Sequence, residues 1–205
     1  MKIWGRENST NMRKVLWCAE ELGLEYEHIP AGGSFGVVNS PKYRAMNPNG
    51  LVPCLEDEEL ILWESNAIVR YLARQYGTAP FAPADPRQWA VGDKWMDWAS
   101  FSLGIPFREM FWNLVRCTPE ERDTDAMERG HRRCTQLMPL ANDVLDRSAW
   151  LSGPEFGIGD IPLGCIAYAW FSLPIERDRL PALEDWYERL TSRTAYRKAV
   201  MTPLT

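Results

Sequence analysis

Apolar positions follow two regimes along this chain. Up to Gly77 they switch between the alternation of strands and the spacing of helices; beyond Pro86 they hold the helical spacing nearly to the end. Residues 2–5 read as a short strand. Met12, Val15, Ala19 and Leu22 recur at helical spacing, with Gly23 as the stop signal. Residues 26–29 read as a second strand, 31–36 as a glycine-rich loop and 41–46 as a short irregular helix. Residues 51–55 and 60–63 form a predicted hairpin around Glu56-Asp57-Glu58-Glu59, and Ile68, Leu72 and Tyr76 give the next helix its apolar stripe. The order is βαβ followed by ββα. Gly77, Pro80, Pro83 and Pro86 mark residues 78–86 as a linker.

After the linker no strand signal stands out. Residues 87–116 form a long helical pattern crowded with aromatics, with Pro106 as a point of interruption. Pro119 fits the first position of a helix running over 120–147, with Pro139 as a kink or break. Residues 160–171 are apolar on most sides, which predicts a central helix, and 181–190 and 194–200 are short closing helices. The expected architecture is an α/β domain over 1–77 and an all-helical domain over 87–205, without internal repeats.

Two positions break the pattern in ways that suggest chemistry. Pro53 sits inside an apparent strand, although proline lacks the N–H that a central strand donates. Proline also forms a cis bond at low cost. Such a bond would turn the Val52 backbone outward and leave its N–H and C=O free for an extended ligand. Glu64-Ser65 falls where a helix N-terminus is expected, and the free N–H groups there favour carboxylates.

Composition narrows the field. Formal net charge is −5 and no basic tract occurs, which argues against nucleic acid as a partner. The opening residues are charged where a leader needs an apolar run, and no stretch approaches the ~18 apolar residues of a membrane helix. A cytoplasmic protein with no membrane partner is expected. Five cysteines without CxxC spacing, and only two histidines, argue against a disulfide framework or a metal site. Ten tryptophans favour large apolar interfaces or an apolar pocket.

The segment NPNGLVPCLEDEELILWESNAIVRYL resembles the glutathione-binding signature of the cytosolic glutathione transferases, in which Val-cis-Pro and Glu-Ser recur at this spacing. STNMRKVLWCAEELGLEYE resembles the first loop and helix of the serine-type classes, with Ser9 four residues before Arg13. FGIGDIPLGCIAYAW is similar to the capping motif of the family's central helix, and LPALEDWYERLTSRTAYRKAV to its closing segment in bacterial members. The resemblance covers nearly the whole chain. It implies a thioredoxin-like domain followed by a helical bundle, glutathione as co-substrate with no other cofactor, conjugation to a small hydrophobic electrophile, and a homodimer.

The chemistry implied is thiolate formation. A free cysteine thiol has a pKa of about 8.5, and lowering it by about two units takes roughly 2.7 kcal/mol of preferential thiolate stabilisation. A hydroxyl donating to a charged acceptor contributes about 1.5–3 kcal/mol, and a helix N-terminus up to about 2 kcal/mol. Ser9, just before a helix starting near Asn11, would supply the first and that helix the second, with no general base needed. Ser9, Thr10 and Asn11 are also ordinary helix-cap types. Asn11 is the alternative donor through its amide, and Thr10 the next. Through the resemblance, Val52 and Pro53 would hold the cysteinyl unit, Glu64 the γ-glutamyl ammonium and Ser65 the adjacent carboxylate. Asp97 would reach the neighbouring subunit's glutathione, or else be a solvated helix carboxylate. Phe101, Ile105, Arg108 and Trp112 share one stripe that would face the second substrate, provided Pro106 does not break the helix. An aromatic stripe is more often core than pocket, and core is the favoured reading for any single residue of it.

Two departures stand out. Leu51 occupies the place where many relatives carry Gln or Lys for the glycyl carboxylate, which leaves Lys42 as the candidate. Gly157 occupies the usual Ser/Thr position of the central helix's capping box, with Asp160 kept three residues on. Alternatives to conjugation are glutathione-dependent isomerisation or dehalogenation at the same site, or a non-catalytic module that binds glutathione or a partner.

Overall fold

The computed structural model describes residues Met1–Thr205. Four strands form one sheet in the order β2-β1-β3-β4, with β1 (Lys2–Trp4) parallel to β2 (Glu27–Ile29) and antiparallel to β3 (Cys54–Asp57), which pairs antiparallel with β4 (Leu60–Trp63). Three helices accompany the sheet: α1 (Thr10–Glu21), α2 (Pro41–Met46) and α3 (Ser65–Tyr76). This is the thioredoxin-like arrangement expected for the first part of the chain. Strand β3 starts at Cys54 rather than at residue 51, because Leu51-Val52-Pro53 lies outside the ladder and the Val52-Pro53 bond is cis. Helix α1 ends at Glu21, and Gly23 turns the chain at φ 63°, a conformation that costs glycine little.

Beyond the linker all regular structure is helical. Helix α4 (Pro86–Asp97), a π-helical stretch (Trp98–Leu103), α5 (Gly104–Phe111) and a second π-helical stretch (Trp112–Arg116) follow one another as a single rod. Pro106 therefore does not interrupt it. The carbonyl four residues before Pro106 belongs to Ser102, inside the π stretch, where the wider turn accommodates a missing N–H. Helix α6 begins at Thr124, not at Pro119: Asp123 accepts a hydrogen bond from Ala126 N at 2.9 Å and sets the start, while Pro119 lies in the preceding loop. The helix then runs unbroken through Pro139 to Leu145. Helix α7 (Asp160–Ser172) is buried on nearly every side, as its all-round apolar sequence predicts, and α8 (Pro181–Ser192) and α9 (Thr194–Ala199) close the bundle.

One apolar cluster spans Ile3 to Val200 and joins the two parts. Helix α1 is its pivot. Fully buried Trp17 meets Tyr196 edge-on at 4.7 Å and tilts against Phe156 at 5.4 Å. A Cβ at position 164 would lie 2.6 Å from the Trp17 ring, so only glycine lets α7 approach α1 this closely. The loop entering α7 is tied by Asp160, whose carboxylate accepts from Leu151 N (2.8 Å), Ser152 N (3.3 Å), Gly157 N (3.2 Å) and Trp186 Nε1 (2.9 Å). The bond from Gly157 N is the back-bond that the capping-box pattern predicts.

Candidate functional site: a main-chain edge between two helix N-termini

Strand β1 ends at Trp4, and the loop after it delivers Ser9 to the N-cap of α1. Ser9 has extended backbone angles (φ −84°, ψ 125°), and its carbonyl accepts Arg13 N at 2.9 Å. Its hydroxyl makes no capping bond. The cap reading of the sequence thus applies to the backbone only. A partly exposed O–H remains at the positive end of a three-turn helix, where it can donate to an anion.

Val52 packs against the start of the same loop, its Cβ 3.4 Å from where a Cβ at Gly5 would sit. Its backbone N–H and C=O make no hydrogen bond within the chain. The flanking Leu51 carbonyl accepts from Tyr43 Oη at 2.7 Å and Asn47 Nδ2 at 2.8 Å, which fixes the peptide on one side, and buried Pro53 fixes it on the other. An unpaired donor and acceptor on one residue form a short sheet edge, which an extended peptide can pair with.

Helix α3 supplies the third element. Glu64, its N-cap, holds φ at 71°, an uncommon angle for a non-glycine residue, and its exposed carboxylate caps nothing. Ser65 follows, buried, with its Oγ donating to Asn11 Oδ1 at 3.3 Å. Asn11 Oδ1 is thereby engaged across the gap between the two helix starts, while its Nδ2 and the hydroxyls of Ser9 and Thr10 make no hydrogen bond within the chain. Lys14, one turn along α1, is buried, and burial pulls its ammonium down to about 8, partly offset by the charge of Glu64.

The remaining residues from the sequence scatter more widely. Lys42 is exposed on α2 with its ammonium 5.7 Å from the Trp4 ring centroid. Asp97 pairs with Arg70 at 2.7 Å, and Arg70 also holds Asp93 at 2.6 Å. Phe101 and Arg108 are exposed on the rod and do not reach the cavity beside Ser9. Trp112 does. That cavity, of about 690 Å³, is also lined by Arg6, Asn8, Phe35 and Arg116. Arg6 and Arg116 were missed by sequence reasoning. The available signals were the position of Arg6 in the serine's own loop and that of Arg116 one turn beyond Trp112.

Comparison with known proteins fits this geometry. The family model for the glutathione S-transferase N-terminal domain matches residues 1–74. Glutathione S-transferase GstB of Escherichia coli is 48% identical over 204 residues, covering 98% of either chain. The chain belongs to the glutathione transferase family. Among solved structures, the theta-class transferase of Xanthomonas axonopodis pv. citri with glutathione bound superposes with a TM-score of 0.96 at 51% identity, over 100% of this chain and 98% of that one. Its apo form gives 0.87 at 46% identity, with the same coverage.

Within this transferase the serine loop is held from a distance. Arg13 donates to the Thr202 carbonyl (3.1 Å), Thr202 Oγ1 (2.8 Å) and the Pro203 carbonyl (2.9 Å), while Asn8 Nδ2 donates to Thr205 Oγ1 at 2.6 Å. Arg116 Nη2 donates to the Asn8 carbonyl at 3.0 Å. The loop itself carries no cysteine. Burial pushes the Cys54 thiol up to about 11 and those of Cys134 and Cys165 up to about 12, so these are protonated core groups and poor nucleophiles.

Proposed function

We propose that this transferase binds glutathione along Val52 and conjugates its thiolate to a small electrophile, with Ser9 as the group that holds the sulfur anionic. The observation that carries the reading is the pairing of two uncommitted features: the free N–H and C=O of Val52, and the Ser9 hydroxyl that caps nothing. In this reading the cysteinyl unit pairs with Val52 beside Pro53. Glu64 accepts from the γ-glutamyl ammonium, and Ser65 donates through N–H and Oγ to the adjacent carboxylate. Asn11 braces Ser65, and Lys42 takes the glycyl carboxylate, since Leu51 has no polar group to offer. The sulfur attacks carbon, the leaving group departs with its electron pair, and the thiol proton is lost to solvent.

Retention on immobilised glutathione, followed by turnover of chlorodinitrobenzene, tests the reading. Glu64→Gln should raise the KM for glutathione by about tenfold, as expected for loss of one charge-assisted contact, with a smaller effect on kcat. Retention without turnover of any electrophile would favour the non-catalytic binding module instead.

A homodimer is part of the proposal. Phe101 (73% exposed), Ile105 (60%), Val91 and Trp63 leave apolar surface in solvent, which a second copy would cover. Asp97 lies on the same rod, near the partner's site in such an assembly, although Arg70 already offsets part of its charge. Sedimentation should give twice the chain mass, with Phe101→Glu shifted toward monomer; a monomeric wild type would remove both the dimer and the role of Asp97. Five unpaired thiols and a thiol co-substrate suit a reducing cytosol.

A further inference from the structure

We propose that the electrophile accepted by this transferase carries a carboxylate, which Arg6 and Arg116 hold in the cavity beside Ser9. The inference rests on the conjugation reading and adds the class of acceptor.

The cavity is lined by Arg6, Glu7 and Asn8 of the loop that carries Ser9, which puts it on the side of the proposed thiolate. It is unlike a general apolar pocket. Two guanidinium groups line it, and neither forms an ion pair within the chain. Arg6 Nη1 donates to Asn8 Oδ1 at 2.7 Å and Arg116 Nη2 to the Asn8 carbonyl at 3.0 Å. Each therefore commits one of its five N–H donors to a neutral acceptor and keeps the rest. Arg13, close enough to raise the local positive potential, directs Nε and Nη2 to Thr202 and Pro203. Burial, then the charges of Arg6 and Arg13, pull the Arg116 pKa down, so this cluster is one of mutual repulsion. The one carboxylate in the lining, Glu7, is largely exposed and faces His28 Nδ1 at 3.5 Å.

Half-buried like charges without counter-ions cost stability unless something relieves them. A protein of net charge −5 has carboxylates to spare, yet the one in this lining, Glu7, faces His28 and pairs with neither guanidinium. Local packing has been arranged around the arrangement: Gly33 (φ 57°) lies so close that a Cβ there would come within 3.0 Å of Arg6 Cδ. Phe35 and Trp112, each more than half exposed, flank the guanidiniums and offer faces for a planar ring. The chemistry that fits is a carboxylate on a flat, apolar electrophile. A fork of guanidinium donors binds such a group in its own plane.

Matched acceptors test this. A chlorodinitrobenzoate and the corresponding chlorodinitrobenzamide react identically: sulfur bonds to the ring carbon bearing chlorine, chloride leaves with the carbon–chlorine pair, and the thiol proton passes to solvent. Only the former carries the anion, which stays on the product. Rates are normalised to the uncatalysed reaction of each compound with glutathione. The wild type should favour the benzoate in kcat/KM. Arg6→Ala and Arg116→Ala should each lower the benzoate-to-benzamide ratio by about ten- to a hundredfold, the range of a charge-assisted contact, and Arg116→Lys should restore part of it. A variant that loses both rates in proportion would assign Arg116 to loop support alone and overturn the proposal. Calorimetry with the two glutathione conjugates separates this from the conjugation reading. If neither acceptor turns over, that reading falls, while a benzoate conjugate bound about tenfold more tightly than the benzamide conjugate still supports the arginine site; equal affinities overturn it.

Discussion

Ser9→Ala should cost about 10- to 100-fold in kcat/KM for conjugation, with little change in folding stability. The factor follows from removing one hydroxyl donor to a thiolate, about 1.5–3 kcal/mol. Folding is spared because the Ser9 side chain makes no capping bond; the backbone carbonyl that starts α1 remains. The pH profile gives the diagnostic sign. The thiolate is the reactive form, so activity rises with pH through the pKa of bound glutathione. With Ser9 that limb lies below the free thiol's value of about 8.5, and without it the limb moves up toward that value. At high pH, where the thiol ionises unaided, wild type and variant should converge. A mutant with an unshifted profile and undiminished rate would transfer the role to Asn11, whose amide is then to be replaced by the same logic.

The largest effect on stability is expected at Asp160. Its carboxylate sits fully buried and accepts four N–H groups drawn from the loop before α7 and from α8. Asp160→Ala leaves those four donors without partners and removes the tie between segments. A loss of about 3–5 kcal/mol is expected, against the roughly 5–15 kcal/mol that holds a typical protein together. Asp160→Asn should rescue little, since one amide N–H₂ would face donors where the carboxylate offered acceptors. Denaturant titration checks both variants. Stabilities within about 1 kcal/mol of wild type would mean that water replaces the carboxylate more readily than its burial implies.

Local chemistry made much of this molecule legible in its sequence. Val52-Pro53 and Glu64-Ser65 could be read because a proline in a strand and a cap before an apolar stripe have local consequences. Helix α7 could be read because residues 160–171 are apolar all round. The misreadings have equally local causes. Pro119 is a good first residue for a helix, but Asp123 is a better cap, and the helix follows the cap. Pro106 and Pro139 looked like breaks because the tolerance of the surrounding turns is not written in one residue. What no window of sequence contains is distance. Arg116 meets the Asn8 carbonyl across 108 residues and Arg13 meets Thr202 across 189, so the cationic wall beside Ser9 exists only once both parts have docked.

That docking has a practical corollary for anyone dividing the chain. Residues 1–74 look like a self-sufficient piece, but the Ser9 loop is clasped by side chains and carbonyls from Arg116 and from residues 202–205. Cut loose from them, the piece would retain its sheet while the hydroxyl that matters drifted from its aim. An affinity tag fused directly behind Thr205 would tug on the same knot, which makes the other terminus the safer handle.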